Sequence, residues 1–163
     1  MSTWGLEGTT PLADFTKTVA EIVLDLFNNQ ANWTESTVGW ANILFTSSTY
    51  DGTKFYTVAV KSLSQTNQAD VLGSTSYEYT EYVNVHIWVK SLQHGSIPGV
   101  EIQAMKSMIE QICAQKRTNV GQGIRYIGIP EWSYSDTQDD QDGSSLYHVV
   151  GRVLVEYRKV STI

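Results

Sequence analysis

From Tyr77 to Lys90 the side chains split by parity: Tyr77, Tyr79, Val83, Val85, Ile87 and Val89 fall on one side, and Glu78, Thr80, Tyr82, Asn84, His86, Trp88 and Lys90 on the other. A period of two separating apolar from mixed character predicts an extended strand with one face in a core and the other partly covered. Such a strand exceeds the usual ~5–6 residues. It can form the spine of a sheet and still project to a neighbouring subunit. After a Gly/Ser/Pro break, the spacing from Pro98 turns helical, carrying Ile102, Met105, Met108, Ile109, Ile112 and Cys113 inward, with Lys116 and Arg117 near the negative end of the dipole.

The rest of the chain is read around that spine. From Pro11, the residues Leu12, Phe15, Val19, Ile22, Val23, Leu26 and Phe27 follow a single helical stripe, with Thr10 as cap, Pro11 at the first helical position, Asp14 near the positive end and Asn28-Asn29 as the stop. Ile43 to Thr46 and Phe55 to Ser62 read as two strands joined by the turn residues Tyr50-Asp51-Gly52, hence a hairpin. Ser64 to Ser76 is polar enough to read as a long loop. Ile124 to Ile129, closed by Pro130, and Leu146 to Val160 read as further strands, and Ser133 to Ser145 between them as an acidic loop. The order is helix, two strands, long strand, helix, two strands. It predicts an α+β fold: a mostly antiparallel sheet with two helices packed on one face and long loops or hairpins projecting to neighbouring subunits.

No repeat or linker divides the 163 residues, so residues 1–163 are read as one domain, large enough to bury about 68–70% of the surface the unfolded chain exposes. The single cysteine, Cys113, excludes an intrachain disulfide and reads as a small buried hydrophobe. A net charge of -6 argues against a protein that grips DNA phosphates, though not against a lumen that DNA slides through. No apolar run nears the ~20 residues of a membrane span, and Met1-Ser-Thr-Trp-Gly-Leu-Glu lacks the basic start and apolar core of a secretory signal. The expectation is a soluble protein made in a cytoplasm, in which the acceptor-like Asn32-Trp33-Thr34 is a coincidence.

Chemistry is sparse. His86, His94 and His148 stand far apart, none with a companion at metal-ligand spacing, and no Gly-x-Ser-x-Gly elbow or phosphate-cradling Gly-Lys-Ser occurs. Gly121-Gln122-Gly123 is too short for a dinucleotide fingerprint and follows a helix rather than a strand. Asp140-x-Asp142-Gly143 resembles part of a calcium loop, but Gln138 holds the first ligand position and Val149 that of the terminal Glu; the plainer reading of Asp136, Asp139, Asp140 and Asp142 is a solvated hairpin tip. No catalytic, cofactor-binding or metal-ligating residue is assigned. The candidate functional residues are those of a subunit interface: Tyr82 and Trp88 on the mixed face of the spine, Ser64, Gln65, Asn67, Gln68 and Asp70 of the polar stretch, and Asp139, Asp140 and Asp142 of the acidic one.

The run Tyr79-Thr80-Glu81-Tyr82-Val83-Asn84-Val85-His86-Ile87-Trp88-Val89-Lys90, followed by Gly99-Val100-Glu101 and its helix, and the returning strand His148-Val149-Val150-Gly151-Arg152-Val153-Leu154-Val155-Glu156-Tyr157, resemble the tail-terminator (tail-completion) proteins of long-tailed phages. The resemblance covers Pro11 to Val160 and rests on patterns of side-chain type. It implies a non-enzymatic virion protein of the tail and neck, assembled in the host cytoplasm. Its hexameric ring sits on the last tail-tube ring, halts polymerisation and presents the docking surface for the head connector. The implied partners are further copies of the chain, the tail-tube protein and a head-tail connector or neck protein. DNA only passes through the lumen, and no membrane is involved. The polar stretch at Ser64 to Ser76 and the acidic one at Asp136 to Asp142 depart from the family pattern, so its docking surfaces do not carry over. The alternatives are another neck or head-completion protein, or a small-molecule-binding α+β enzyme or module with a pocket lined by Tyr79, Tyr82 and Trp88.

Overall fold

The structure, a computed structural model, describes residues 17–28, 43–48, 50, 52, 54–69, 76–91, 98–139 and 144–160. In chain order these form α1 (Val19–Asn28), β1 (Ile43–Thr46), β2 (Tyr56–Ala69), β3 (Ser76–Ser91), α2 (Gly99–Gln115), β4 (Ile124–Ile127), β5 (Glu131–Asp139) and β6 (Ser145–Val160).

β3 is the expected spine, and its length comes from unbroken alternation. Tyr79, Glu81, Val83, Val85, Ile87 and Val89 are buried on one face, while Glu78, Thr80, Tyr82, Asn84, His86 and Lys90 on the other are only half-buried. β2 pairs antiparallel along one edge of β3, from Tyr56↔Val89 to Ala69↔Tyr77, and β6 along the other, from Ser76↔Val160 to Ser91↔Ser145. Because β2 runs through to Ala69 and β3 begins at Ser76, most of the polar stretch expected as a loop is strand. Backbone pairing to β3 overrides its low β-propensity. Asp70 and the rest of 70–75 lie outside the described residues.

Fold class requires correction. The six strands hold more than twice as many residues as the two helices, and the sheet is curled and mixed. The fold is therefore mostly β with a mixed sheet, in place of the expected α+β class with its mostly antiparallel sheet. The supposed hairpin at one end is the clearest departure: β1 lies parallel to β2, in register from Ile43↔Tyr56 to Thr46↔Ala59. Gly52 supplies its turn chemistry at φ 82°. Yet the first residues of the two strands, Ile43 and Tyr56, are partners, so the strands run the same way and do not form a hairpin.

On the far side, β4 and β5 share one edge of β6. β4 pairs from Ile124↔Tyr157 to Ile127↔Val155, the Gly128 N–H reaches the Leu154 carbonyl at 2.8 Å, and β5 continues from Glu131↔Arg152 to Asp139↔Ser145. The two behave as one strand interrupted at Gly128-Ile129-Pro130, because proline cannot donate to the ladder. β5 occupies much of what was expected to be an acidic loop, so Asp136 and Asp139 lie in a strand; Asp140 and Asp142 lie outside the described residues.

The core forms between the buried face of the sheet and both helices. Val58 and Val60 of β2, Val83, Val85 and Ile87 of β3 and Val149, Val153, Val155 and Tyr157 of β6 meet Ile22, Val23 and Phe27 of α1 and Ile102, Met105, Ile109 and Ile112 of α2. At ~1.5–3 kcal/mol per large side chain, this burial holds the helices down far more strongly than their own propensity. Cys113 belongs to the same core, and burial pushes its thiol up to about 12. The described part of α1 starts from Thr18, whose hydroxyl accepts the Glu21 N–H at 3.2 Å and donates to the Glu21 carboxylate at 3.1 Å. Thr10, Pro11, Leu12, Asp14 and Phe15 lie outside the described residues.

Candidate functional site

With the helices on one face, side chains of even number along β3 form the other. Register aligns them with their counterparts: Thr57, Ala59 and Lys61 of β2 lie opposite Trp88, His86 and Asn84, which lie opposite His148, Val150 and Arg152 of β6, with Asp136 of β5 opposite His148. The centre of this face is a stack of three rings. Trp88 and His148 lie 4.4 Å apart between centroids and 8° from parallel; His86 lies 5.2 Å from each. His86 Nδ1 and His148 Nε2 are 2.9 Å apart, a hydrogen bond in which one ring donates and the other accepts. Tyr50 tilts against the indole at 6.5 Å.

Electrostatics follow from this half-buried setting. Burial pushes His86 down to about 4, helped by the neighbouring His148 and Lys61. Burial and Lys61 also lower His148, while Asp136 across the ladder opposes them. Both rings therefore favour neutrality at pH 7. Below the stack, the Arg152 guanidinium covers the Tyr82 ring at 4.7 Å and pairs with Glu131 at 3.1 Å. Buried deeper, the Thr57 hydroxyl has no hydrogen-bond partner among the described residues.

Of the expected interface residues, Tyr82 and Trp88 share this face, Trp88 almost wholly buried and Tyr82 half-buried. Ser64, Gln65, Asn67 and Gln68 lie on β2 beyond the reach of β1, and Asp139 ends β5 at the opposite edge of the sheet. They do not converge on one point. The histidine pair was missed because its partners are 62 positions apart in sequence and meet only through the β3–β6 register.

Two further clusters decorate the helix-covered face. The buried Glu81 accepts a hydrogen bond from the Tyr157 hydroxyl at 3.0 Å, and Tyr157 stacks on Tyr79 at 5.2 Å, with the Lys159 ammonium 5.1 Å from the Tyr79 ring. Trp132 of β5 donates its indole N–H to Glu110 of α2 at 2.8 Å and lies 5.4 Å beneath the Lys106 ammonium. A cavity of about 220 Å³ opens beside α1, lined by Ile22, Asp25, Leu26, Lys116, Asn119 and Val120, with Lys17 paired to Asp25 nearby. No group of three metal-ligating side chains comes together among the described residues. Against this geometry, no protein-family model matches the chain, and no curated protein matches it either.

Proposed function

We propose that the chain is a structural ring subunit of a phage neck, a tail terminator whose hexameric ring caps the tail tube, stops its polymerisation and offers the docking surface for the head connector. The resemblance of the β3, α2 and β6 sequences to that family supports the terminator reading. The observation that carries an assembly role is a pair of open strand edges on opposite sides of one sheet. β1 pairs only Tyr56 to Ala59, so among the described residues no strand covers the outer edge of β2 from Lys61 to Ala69, nor the outer edge of β5. Open edges are templates for pairing with another chain.

Their directions suit head-to-tail joining. β2, β3, β6 and β5 alternate in direction across the sheet, so β5 of one copy would meet β2 of the next antiparallel, with no copy turned over. A contact using two different surfaces is heterologous and closes into a ring when the rotation allows. The two edges are also offset, since the open part of β2 lies level with the C-terminal half of β6 and β5 with its N-terminal half. Copies joined this way are sheared along the strands, and their strands tilt to the ring axis. Such a ring would carry the tail-tube protein on one side and a connector on the other. It needs no catalytic step, and its negative balance keeps passing DNA from sticking.

Successive residues of a strand send their N–H groups to opposite sides, so of Gln65→Pro and Thr66→Pro one removes a bond to β3 and the other only an outward donor. The variant that retains the wild-type circular dichroism should lose the oligomer in light scattering; an unchanged oligomer in that variant removes the β2 edge from the interface. Particles lacking the protein should carry tails of irregular, excessive length, and tails of normal length joined to heads would end the terminator reading.

A further inference from the structure

We propose that His86, His148 and Trp88 form a proton-operated latch on the second face of the sheet, closed while the histidine pair holds no proton or one and released by the second. The proposal stands on the geometry of the stack and is independent of the ring reading. An imidazole–imidazole hydrogen bond needs one N–H and one lone pair. Two neutral rings satisfy that, and so does one imidazolium beside one neutral ring. Two imidazolium ions do not: an N–H would then face an N–H across the 2.9 Å between His86 Nδ1 and His148 Nε2.

The surroundings accept a first added proton more readily than a second. His148 lies opposite Asp136 of β5 and against the face of the Trp88 indole at 4.4 Å, so a charge there meets both a carboxylate and an aromatic quadrupole. His86 stacks on the same indole at the longer 5.2 Å and, among the described residues, has no carboxylate opposite it in the ladder. Across from it β2 presents Ala59 with Lys61 two residues on, β3 flanks the stack with Asn84 and Lys90, and β6 presents Val150 followed by Arg152, whose guanidinium is taken by Glu131 and Tyr82. The burial that lowers both rings acts in the same direction. A second proton therefore breaks the bond, sets two cations 5.2 Å apart beside Lys61, and separates the rings that hold Trp88.

The test is a proton–nitrogen NMR titration of the full chain labelled with nitrogen-15 in histidine and tryptophan, whose three histidines and five tryptophans give a spectrum simple enough to assign. His86 and His148 should titrate in two coupled steps separated by at least about one pH unit. The indole signal of Trp88, identified with Trp88→Phe, should move with the second step and not the first. In His86→Gln the second step should vanish and the indole signal stay fixed. Independent single-site curves for the two histidines overturn the latch, as does an indole signal indifferent to the second step. A second step that coincides with global loss of the far-ultraviolet circular dichroism also overturns it, because the proton would then unfold the molecule instead of opening one face. Should His86→Gln fail to fold, the wild-type titration decides by the same criteria.

Discussion

Trp132 fills the space over Gly151 on the neighbouring strand, and a Cβ added at Gly151 would come within 2.5 Å of its Cε3 and 2.8 Å of its Cζ3. The indole has little freedom to retreat, because its N–H is held by Glu110 and its ring is packed against the core. Gly151→Ala should therefore destabilise the fold by about 1–3 kcal/mol, the usual range for overpacking, read as a lower urea midpoint; an unchanged midpoint would mean that Trp132 moves without cost. The histidine pair supplies a second prediction at this scale. Both rings sit below their ordinary 6.5, His86 at about 4, so the unfolded chain binds protons that the folded chain declines. Stability from this source is complete above the ordinary value and is lost as pH falls through the window toward 4. Replacing both histidines by glutamine should flatten that part of the curve and leave only the carboxylate contribution. Midpoints in urea that fall in parallel for both proteins between pH 7 and 4 would remove the pair from the acid response.

Among the elements, α1 shows how little sequence is needed to set a boundary and how much to set a neighbour. Thr18 and Glu21 close the first turn of the described helix through their side chains, so Thr18→Ala should cost about 0.5–2 kcal/mol. A loss seen equally in Glu21→Ala and in the double variant would assign that cost to their mutual contact. The stripes of α1 and α2 and the parity of β3 were legible because each is written in local spacing, and Ile102, Met105, Ile109, Ile112 and Cys113 are buried as read. β5 was not legible. Its sequence, Glu131-Trp-Ser-Tyr-Ser-Asp-Thr-Gln-Asp, offers two aromatics among polar residues, and the strand exists because the edge of β6 accepts its backbone, not because its side chains demand a core. The parallel lie of β1 was hidden for a related reason: turn residues announce a change of direction but not where the chain rejoins the sheet. The histidine pair required the β3–β6 register, which alternation narrows to one parity but does not fix in phase.

For the molecule as a whole, the decisive asymmetry is between a helix-covered face sealed by aliphatic side chains and a second face built from rings, amides and opposed charges. A protein whose task were only to be stable would have little use for a half-buried histidine pair; a subunit that must present a surface has reason to keep one face polar and adjustable. β6 carries the other lesson at this scale. It is flanked by β3 over all sixteen of its residues and by β4 and β5 in turn on its far side, and so it lies inside the sheet although it is made after the other described strands. During translation β3 therefore offers solvent a bare edge as long as itself until β6 has left the ribosome. A nascent product that stops short of Ser145 lacks the centre of its sheet, not its margin, and should precipitate rather than persist as a weakened domain.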